Sequence, residues 1–143
     1  GGDLRGLGRR GQRPWRIGIK DPRAESVLGV IELADGEAAF TSGDYERFVE
    51  RDGARLHHIL DPRTGRPAVE TQAVTVIARK GVLADAAATA IFVAGDDWRE
   101  IADALDIDAV LRVDANGAVE ATDTMRRRLG AGAPEQSDVV ADS

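Results

Sequence analysis

The strongest fold signal is the stretch at residues 73–95, which reads AVTVIARKGVLADAAATAIFVAG. Residues 73–78 are apolar and rich in β-branched side chains, a composition that predicts a central strand of a sheet. Residues 82–94 predict a helix, and Gly95 follows at the position where a glycine commonly ends one. This strand and this helix are the two elements from which the rest of the chain can be placed.

Turn signals divide the residues before this stretch into short strands. Residues 15–20, WRIGIK, alternate in the manner of a strand that Asp21-Pro22 ends. Asp35-Gly36 and Asp52-Gly53 are dipeptides typical of hairpin turns. The remaining predictions are a strand at 27–33, a return strand at 37–41, a strand or a helical turn at 44–49, a strand at 55–59, and a loop with two prolines at 61–68.

The residues after this stretch predict a second helix and a hairpin. Asp97 and Glu100 have the spacing of a helix start, and the helix is expected to run to about Leu105. Asn116-Gly117 predicts a turn between a strand at 109–113 and one at 118–121. The short segment at 125–129 is basic.

The sum of these elements predicts the α+β class, with an antiparallel sheet packed against two consecutive helices. A chain of 143 residues is long enough for one domain with a core, and residues 1–130 are assigned to it. Residues 131–143 are small, acidic and without aromatic side chains, so we predict a disordered acidic tail there.

Composition excludes several classes of protein. The net charge is −6 and the pI is about 4.9, so a nucleic acid is not expected as a partner. The absence of cysteine excludes a disulfide framework, a thiolate zinc site and a Cys nucleophile. No apolar run reaches the length of a membrane span. Two arginine clusters are interpreted as solvated charged faces, with a phosphate-facing role as the alternative for the first: Arg5, Arg9, Arg10, Arg13 and Arg16, and then Arg126, Arg127 and Arg128.

Asp85 and Thr89 form a candidate metal site. Residues four apart lie on one side of a helix, and the neighbours of this pair are so apolar that the helix is expected to be buried nearly all round. A buried carboxylate needs a partner, and a carboxylate with a hydroxyl suits Mg²⁺ held jointly by protein and substrate phosphates. The structural alternative is that Asp85 lies in the first turn and favours the helix dipole, while Thr89 bonds back to the helix.

The two histidines of the chain, His57 and His58, lie beside turn signals. If residues 55–59 form a strand, they point to opposite faces, so only one of them can face a site. A general acid or base and a phosphate contact are both chemically sensible for such a residue, and a structural role is the alternative. Ser42-Gly43 is either an ordinary turn or one where backbone N–H groups approach a ligand.

Three motifs in a fixed order resemble the ApbE family, the FAD:protein FMN transferases. The resemblance extends from residue 1 to about residue 115, and the His-Ile-Leu-Asp-Pro-x-Thr-Gly motif is the specific part. The motifs are Gly1-Gly2-Asp3, then Ser42-Gly43-Asp44-Tyr45 with His58-Ile59-Leu60-Asp61-Pro62 and Thr64-Gly65-x-Pro67, then Ala84-Asp85-Ala86 with Thr89-Ala90.

The resemblance implies a Mg²⁺-dependent transfer of FMN from FAD to a threonine of an acceptor redox protein, with release of AMP. Asp85 and Thr89 would hold the metal, with the Ala88 carbonyl as a possible further ligand. His58 would lie at the reacting phosphate or at the incoming hydroxyl. Ser42, Gly43, His58 and Ile59 would line the pocket for the flavin nucleotide, largely through the backbone.

The resemblance also implies a partial chain, because family members are about twice as long and carry Gly-Gly-Asp near their middle. The absent half would supply much of the FAD pocket. Three alternatives stay open: a Mg²⁺-dependent pyrophosphatase that splits FAD into FMN and AMP, a non-catalytic FAD-binding protein, and a structural fragment that binds nothing without its upstream half. The resemblance implies a location on the outer side of the bacterial inner membrane, periplasmic or membrane-anchored.

Overall fold

The structure of the protein is a computed structural model that describes residues 2–43, 48–51, 54–57, 59–131 and 139–141, with side chains at 2–43 and 59–129. The strands are β1 (Leu4–Arg5), β2 (Trp15–Lys20), β3 (Val27–Leu33), β4 (Ala38–Gly43), β5 (Phe48–Arg51), β6 (Ala54–His57), β7 (Leu60–Asp61), β8 (Arg66–Pro67), β9 (Thr71–Ala78), β10 (Ala109–Asp114), β11 (Val119–Ala121) and β12 (Val139–Ala141). The helices are α1 (Gly81–Ala94), α2 (Trp98–Ala104) and α3 (Asp123–Ala131), and a 3-10 turn (Gly95–Asp97) joins the first two. Within the described ranges, no helix combines the length and the hydropathy needed to cross a membrane.

The largest sheet has five antiparallel strands in the order β1-β4-β9-β10-β11. β9 lies in its middle, and all of its residues except the last, Ala78, are buried. Val74 of β9 lies opposite Ser42 of β4 and Arg112 of β10. The predicted central strand and the α+β class with an antiparallel sheet are confirmed.

Both faces of this sheet are covered, which gives the domain its layers. On one face, Ile77 and Leu111 pack with a smaller sheet of order β12-β2-β3 and with Met125 of α3. On the other face, Val74 and Val76 pack with α1 and α2. Successive side chains of a strand point to opposite faces, so β9 contributes to both hydrophobic clusters.

Only one side of α1 is buried, which corrects the expectation of a helix buried nearly all round. Asp85 and Thr89 lie on the exposed side. The reason is the alanine content of the helix: methyl groups make both sides apolar, yet leaving a methyl group in water costs little. Overall apolarity therefore does not indicate which side faces the core. The buried residues are Ala84, Ala87, Ala88, Ile91 and Phe92.

Asp35-Gly36 forms a turn, but the predicted hairpin is wrong. The Glu37 N–H donates to the Ala34 carbonyl at 3.1 Å, and Gly36 has a φ of 84°, which suits glycine. The strands on either side belong to different sheets, because β3 pairs with β2 whereas β4 pairs with β1 and β9. A turn sequence reverses the chain locally, whereas the burial of whole faces selects the partner strands.

Other predicted elements are confirmed with small changes in their bounds. β2 and β3 match the predicted residues, β10 and β11 form the predicted hairpin, and α1 ends at Gly95 with a φ of 60°. α2 begins after Asp97, although that side chain makes no capping hydrogen bond. β5 and β6 pair so that Arg51 lies opposite Ala54. The predictions at residues 44–47 and at Asp52-Gly53 lie outside the described residues.

Three segments carry more regular structure than predicted. The loop at 61–68 contains the short pair β7–β8, and the basic segment at 125–129 belongs to α3. Within the predicted disordered tail, β12 lies parallel to β2. Residues 132–138 and 142–143 of that tail lie outside the described residues, so disorder there stays a prediction. The sequence does not predict α3, because its only large apolar residues, Met125 and Leu129, are too few to establish the hydrophobic periodicity of a helix.

Candidate functional site

A groove of about 930 Å³ runs along the exposed side of α1. Asp85 and Thr89 both line it, so the structure brings the two predicted metal ligands together. Their spacing of four residues puts them on one side of the helix, as predicted. The rest of the lining is largely apolar and comes from α1, from the 3-10 turn, from α2 and from the β7–β8 segment: Leu60, Pro62, Arg63, Val82, Ala86, Ala90, Val93, Ala94, Asp97, Glu100 and Ile101.

The structural alternative for Asp85 does not hold. α1 begins at Gly81 and has no acid in its first turn, so Asp85 lies in the second turn. The favourable interaction with the helix dipole is confined to the first turn. Asp85 is exposed, so water can solvate its carboxylate and burial does not require it to have a partner. The case for a ligand at Asp85 therefore depends on its place in the groove.

A second carboxylate lies within electrostatic range of Asp85. Burial raises the pKa of Asp3, and the negative charge of Asp85 raises that pKa further. Neighbouring negative charges favour a cation, but Asp3 does not itself line the groove. Sequence analysis treated Asp3 only as part of an unspecific motif, because its proximity to α1 depends on the pairing of β1 with β4.

The donor atoms at Asp85 and Thr89 suit a hard divalent cation. Mg²⁺ is commonly held by one or two carboxylates together with substrate phosphates and waters. Among the residues that the structure describes, no group of three or more His, Asp or Glu side chains forms a complete metal cage. Further ligands would therefore come from a bound phosphate or from water. The Ala88 side chain lies on the buried side of α1, and the ligand role of its carbonyl stays a prediction.

Arg63 lines the rim of the groove and is held there by Asp61. Its Nε donates to Asp61 Oδ1 at 3.0 Å and its Nη2 to Oδ2 at 2.8 Å. These hydrogen bonds hold the pKa of Asp61 below its ordinary value. The Asp61 carbonyl also accepts the Gly65 N–H at 2.8 Å, and Gly65 has a φ of 67°. The Asp-Pro-Arg-Thr-Gly run thus folds a tight turn that presents an arginine to the groove.

Three of the predicted nucleotide-binding residues lie outside the groove lining. Ser42 is half-buried and Gly43 is buried, both at the end of β4. Ile59 is buried in the cluster beneath α1, and its carbonyl accepts the Ala68 N–H at 3.0 Å. Their roles toward a flavin nucleotide stay predictions.

The two histidines are not tested by the structure. His57 lies in β6 opposite Phe48, and its side chain is outside the described residues. His58 lies outside them altogether. The catalytic and nucleotide-binding roles of His58 therefore also stay predictions.

The far end of the groove carries acids that sequence analysis missed as site residues. Asp97 and Glu100 both line it, beside Asp85 at the near end. Residues 85, 89, 93, 97 and 101, which are four apart in the sequence, all line the groove. This spacing was a sequence signal for Asp97. The lining thus has three carboxylates and one arginine that is already paired. A phosphate-bearing ligand would need a cation to bind here.

A buried arginine, Arg112, anchors the end of α1. Arg112 is 1% exposed; its Nη1 donates to Glu120 at 2.6 Å, its Nε to Thr71 Oγ1 at 2.9 Å and its Nη2 to the Glu70 carbonyl at 2.8 Å. The Glu70 carboxylate accepts the Asp96 N–H at 3.0 Å. The network joins the central strands to the turn between α1 and α2, and so fixes one wall of the groove.

The layered α+β fold and the carboxylate–hydroxyl pair in the groove define a domain with a candidate site for a phosphate-bearing ligand and a divalent cation. The chain belongs to the ApbE family, whose pattern matches residues 1–111. The resemblance stated from the motifs is thereby confirmed.

Relatives of this chain include named enzymes and solved structures. It is 48% identical over 132 residues to a Rhodobacter capsulatus protein named FAD:protein FMN transferase, a match that covers 92% of this chain and 25% of that protein. A crystal structure of the ApbE protein of Thermotoga maritima aligns with a TM-score of 0.81 at 45% identity, over 90% of this chain and 43% of that one. The apo form of the Pseudomonas stutzeri flavinyl transferase ApbE aligns with a TM-score of 0.72 at 37% identity, over 92% and 42%. The chain therefore spans less than half the length of these relatives.

Proposed function

We propose that the complete protein transfers FMN from FAD to a threonine hydroxyl of an acceptor redox protein, with Mg²⁺ bound and with release of AMP. The observation that carries the proposal is the pairing of Asp85 and Thr89 in the groove along α1, in a chain of the ApbE family. The name FAD:protein FMN transferase, which several relatives bear, supports the same reaction.

Asp85 and Thr89 are the residues that would hold the cation. When bound there, Mg²⁺ supplies neutralisation of the charge on the pyrophosphate oxygens and on the leaving AMP. The need for such a cation follows from the charge of the groove, where Asp97 and Glu100 would otherwise repel a pyrophosphate. Ala86 and Ala90 flank the pair and leave room for a ligand above it.

The proposed transfer is a single displacement at phosphorus. The threonine oxygen forms a bond to the phosphorus on the FMN side of the pyrophosphate, and the bond from that phosphorus to the bridging oxygen breaks. AMP leaves with the bond's electron pair, and the threonine proton is released. We place His58 at this proton or at the reacting phosphate, because a neutral imidazole accepts a proton near neutral pH. Ser42, Gly43 and Ile59 are proposed to line the nucleotide pocket.

The test measures AMP release from FAD by the complete protein, with and without Mg²⁺ and acceptor, beside the mass of the acceptor. We expect AMP release matched by an FMN-sized mass gain. Asp85→Asn should slow transfer by about a hundredfold or more, since it removes a charged metal ligand. The matched control is Asp103→Asn, an exposed acid on α2 outside the groove lining, which should stay within about twofold of wild type.

Other outcomes would contradict the proposal in distinct ways. AMP release with only free FMN would identify a pyrophosphatase. FAD that stays bound without AMP release would identify a flavin-binding protein. Equal rates for Asp85→Asn and Asp103→Asn would remove the metal role of Asp85 while leaving the reaction itself in place.

A further inference from the structure

A second cavity adjoins the groove. It has a volume of about 660 Å³, is lined by residues 61 and 63–70 together with Val93, and is here called the loop cavity. Arg63 and Val93 line both the loop cavity and the groove, so the two cavities meet at these side chains. Val93 follows Thr89 by four residues of α1, a rise of about 6 Å. The loop cavity therefore begins about one helical turn beyond Thr89.

Arg63 is fixed at the junction of the two cavities. Its backbone N–H donates to Asp61 Oδ1 at 2.9 Å, in addition to the hydrogen bonds of its guanidinium to the same carboxylate. The side chain of Asp61 is 13% exposed and that of Arg63 is 68% exposed, so the arginine is the outer member of the pair. The Nη1 group of Arg63 donates no hydrogen bond within the described ranges. An arginine held in this way loses little conformational freedom when it binds an anion.

Arg66 adds a second positive charge to the loop cavity. It is exposed, and its guanidinium has no ion pair or hydrogen bond with any other residue that the structure describes. Of the two acids in the lining, Asp61 binds Arg63. The other, Glu70, accepts the Asp96 N–H at 3.0 Å with its carboxylate. Uncommitted donors therefore outweigh uncommitted acceptors in this cavity, which suits an anion.

The loop cavity and the groove thus favour ligands of opposite charge. The groove has three carboxylates and needs a cation before it can hold a phosphate. The loop cavity offers guanidinium groups, whose planar donors match a carboxylate in two parallel hydrogen bonds. Beside them, Val69 is 76% exposed and gives an apolar surface on which the chain next to such a carboxylate can pack.

Of the two proposed reactants, only the acceptor protein has an anion to spare for the loop cavity. FAD carries its negative charges on the pyrophosphate, and the proposed function assigns that pyrophosphate to Asp85 and Thr89. The isoalloxazine, ribityl, ribose and adenine parts of FAD are uncharged near neutral pH. An acidic side chain of the acceptor fits the arginines of the loop cavity in charge and in geometry.

We propose that the loop cavity binds an Asp or Glu side chain of the acceptor protein through Arg66 and Arg63, and so selects the threonine that receives FMN; this inference rests on the proposed transferase function. Two extended residues span the helical turn between Thr89 and the loop cavity, and about six residues span at most about 20 Å. The acid is therefore expected within about six residues of the target threonine in the acceptor sequence.

The experiment uses the complete protein, saturated with FAD and Mg²⁺, and the variant Arg66→Gln, which changes the loop cavity and leaves the groove lining intact. The acceptor is the protein that gains covalent flavin fluorescence on a denaturing gel after co-expression with wild type. We expect its KM to rise about tenfold while kcat stays within about twofold, because the lost contact is made equally before and during the transfer. The dissociation constant for FAD should not change.

The second arm of the experiment changes the acceptor. Replacing its acids near the threonine by Asn or Gln should raise the KM of wild type by a similar factor. Arg66→Gln should then add no further loss, as a double-mutant cycle requires for a direct contact. The matched control is Arg126→Gln, which removes one exposed charge from α3, outside the lining of both cavities, and should stay within about twofold of wild type.

Four results would overturn the proposal. They are an unchanged acceptor KM in Arg66→Gln, additive losses in the double-mutant cycle, an acceptor with no acid within about six residues of its threonine, and a weaker FAD affinity with an unchanged acceptor KM, which would indicate a nucleotide subsite instead. If wild type labels no acceptor, the proposed function fails and this inference falls with it. Normal labelling by wild type with an unaffected Arg66→Gln refutes this inference alone.

Discussion

Arg112→Met tests whether the buried network at the end of α1 holds the domain together. The substitution keeps much of the side-chain volume and removes every hydrogen bond of the guanidinium. Glu120 and Asp96 are 38% and 86% exposed, so water can replace the arginine at both of them and their loss costs little. Thr71 is 2% exposed, so its hydroxyl would lose the Arg112 donor where water has poor access. The Glu70 carbonyl also loses Arg112 but keeps the Ala115 N–H, which it accepts at 3.0 Å.

The expected cost follows from the one orphaned group, the Thr71 hydroxyl. A buried polar group left without a partner costs about 1–3 kcal/mol, so the free energy of unfolding should fall by about 2 kcal/mol. In a urea titration of the complete protein, this corresponds to a midpoint lower by about 1 M at an ordinary slope. Glu120→Gln keeps an acceptor at the exposed end of the network and should cost less than about 1 kcal/mol.

The result that would refute this reasoning is an Arg112→Met protein within about 1 kcal/mol of wild type. Such a result would mean that the well-packed methionine compensates for the network, as happens when a buried ion pair is exchanged for apolar residues. A loss for Glu120→Gln as large as that for Arg112→Met would show instead that the ion pair, rather than the buried hydrogen bonds, carries the stability.

Three further predictions concern acid stability, the end of α1 and the metal site. Burial raises the pKa of Glu37, but hydrogen bonds from Arg128 and the backbone outweigh it and leave that pKa below 4.5. The ionised Glu37 side chain therefore stabilises the fold above pH 4.5, and this stabilisation is lost as pH falls through the lowered pKa. In Glu37→Gln, the free energy of unfolding should change less with pH in the acid range. Gly95→Ala should lower the melting temperature by several degrees, because a Cβ would clash with the Glu70 carboxylate and φ is 60° there. Thr89→Val should weaken Mg²⁺ binding to the complete protein about tenfold by calorimetry, and unchanged affinity would remove its ligand role.

Local patterns in the chain are sufficient to predict most of its elements. β9 follows from a run of β-branched apolar residues, the end of α1 from Gly95, and the β10–β11 hairpin from Asn116-Gly117. These signals are local because backbone conformation depends on neighbouring residues. The spacing of Asp85 and Thr89 likewise predicts that they share one side of α1, as the groove confirms.

The sequence by itself thus determined the class of fold, the family and the pairing of two candidate ligands, since each depends on spacing along the chain. Only the tertiary structure decided which side of α1 is exposed, that β3 and β4 belong to different sheets, and that the charge of Asp85 acts on Asp3. The physical reason is that burial and strand partners are set by contacts between segments far apart in sequence. Alanine-rich helices and short turns have no local preference that selects among such contacts.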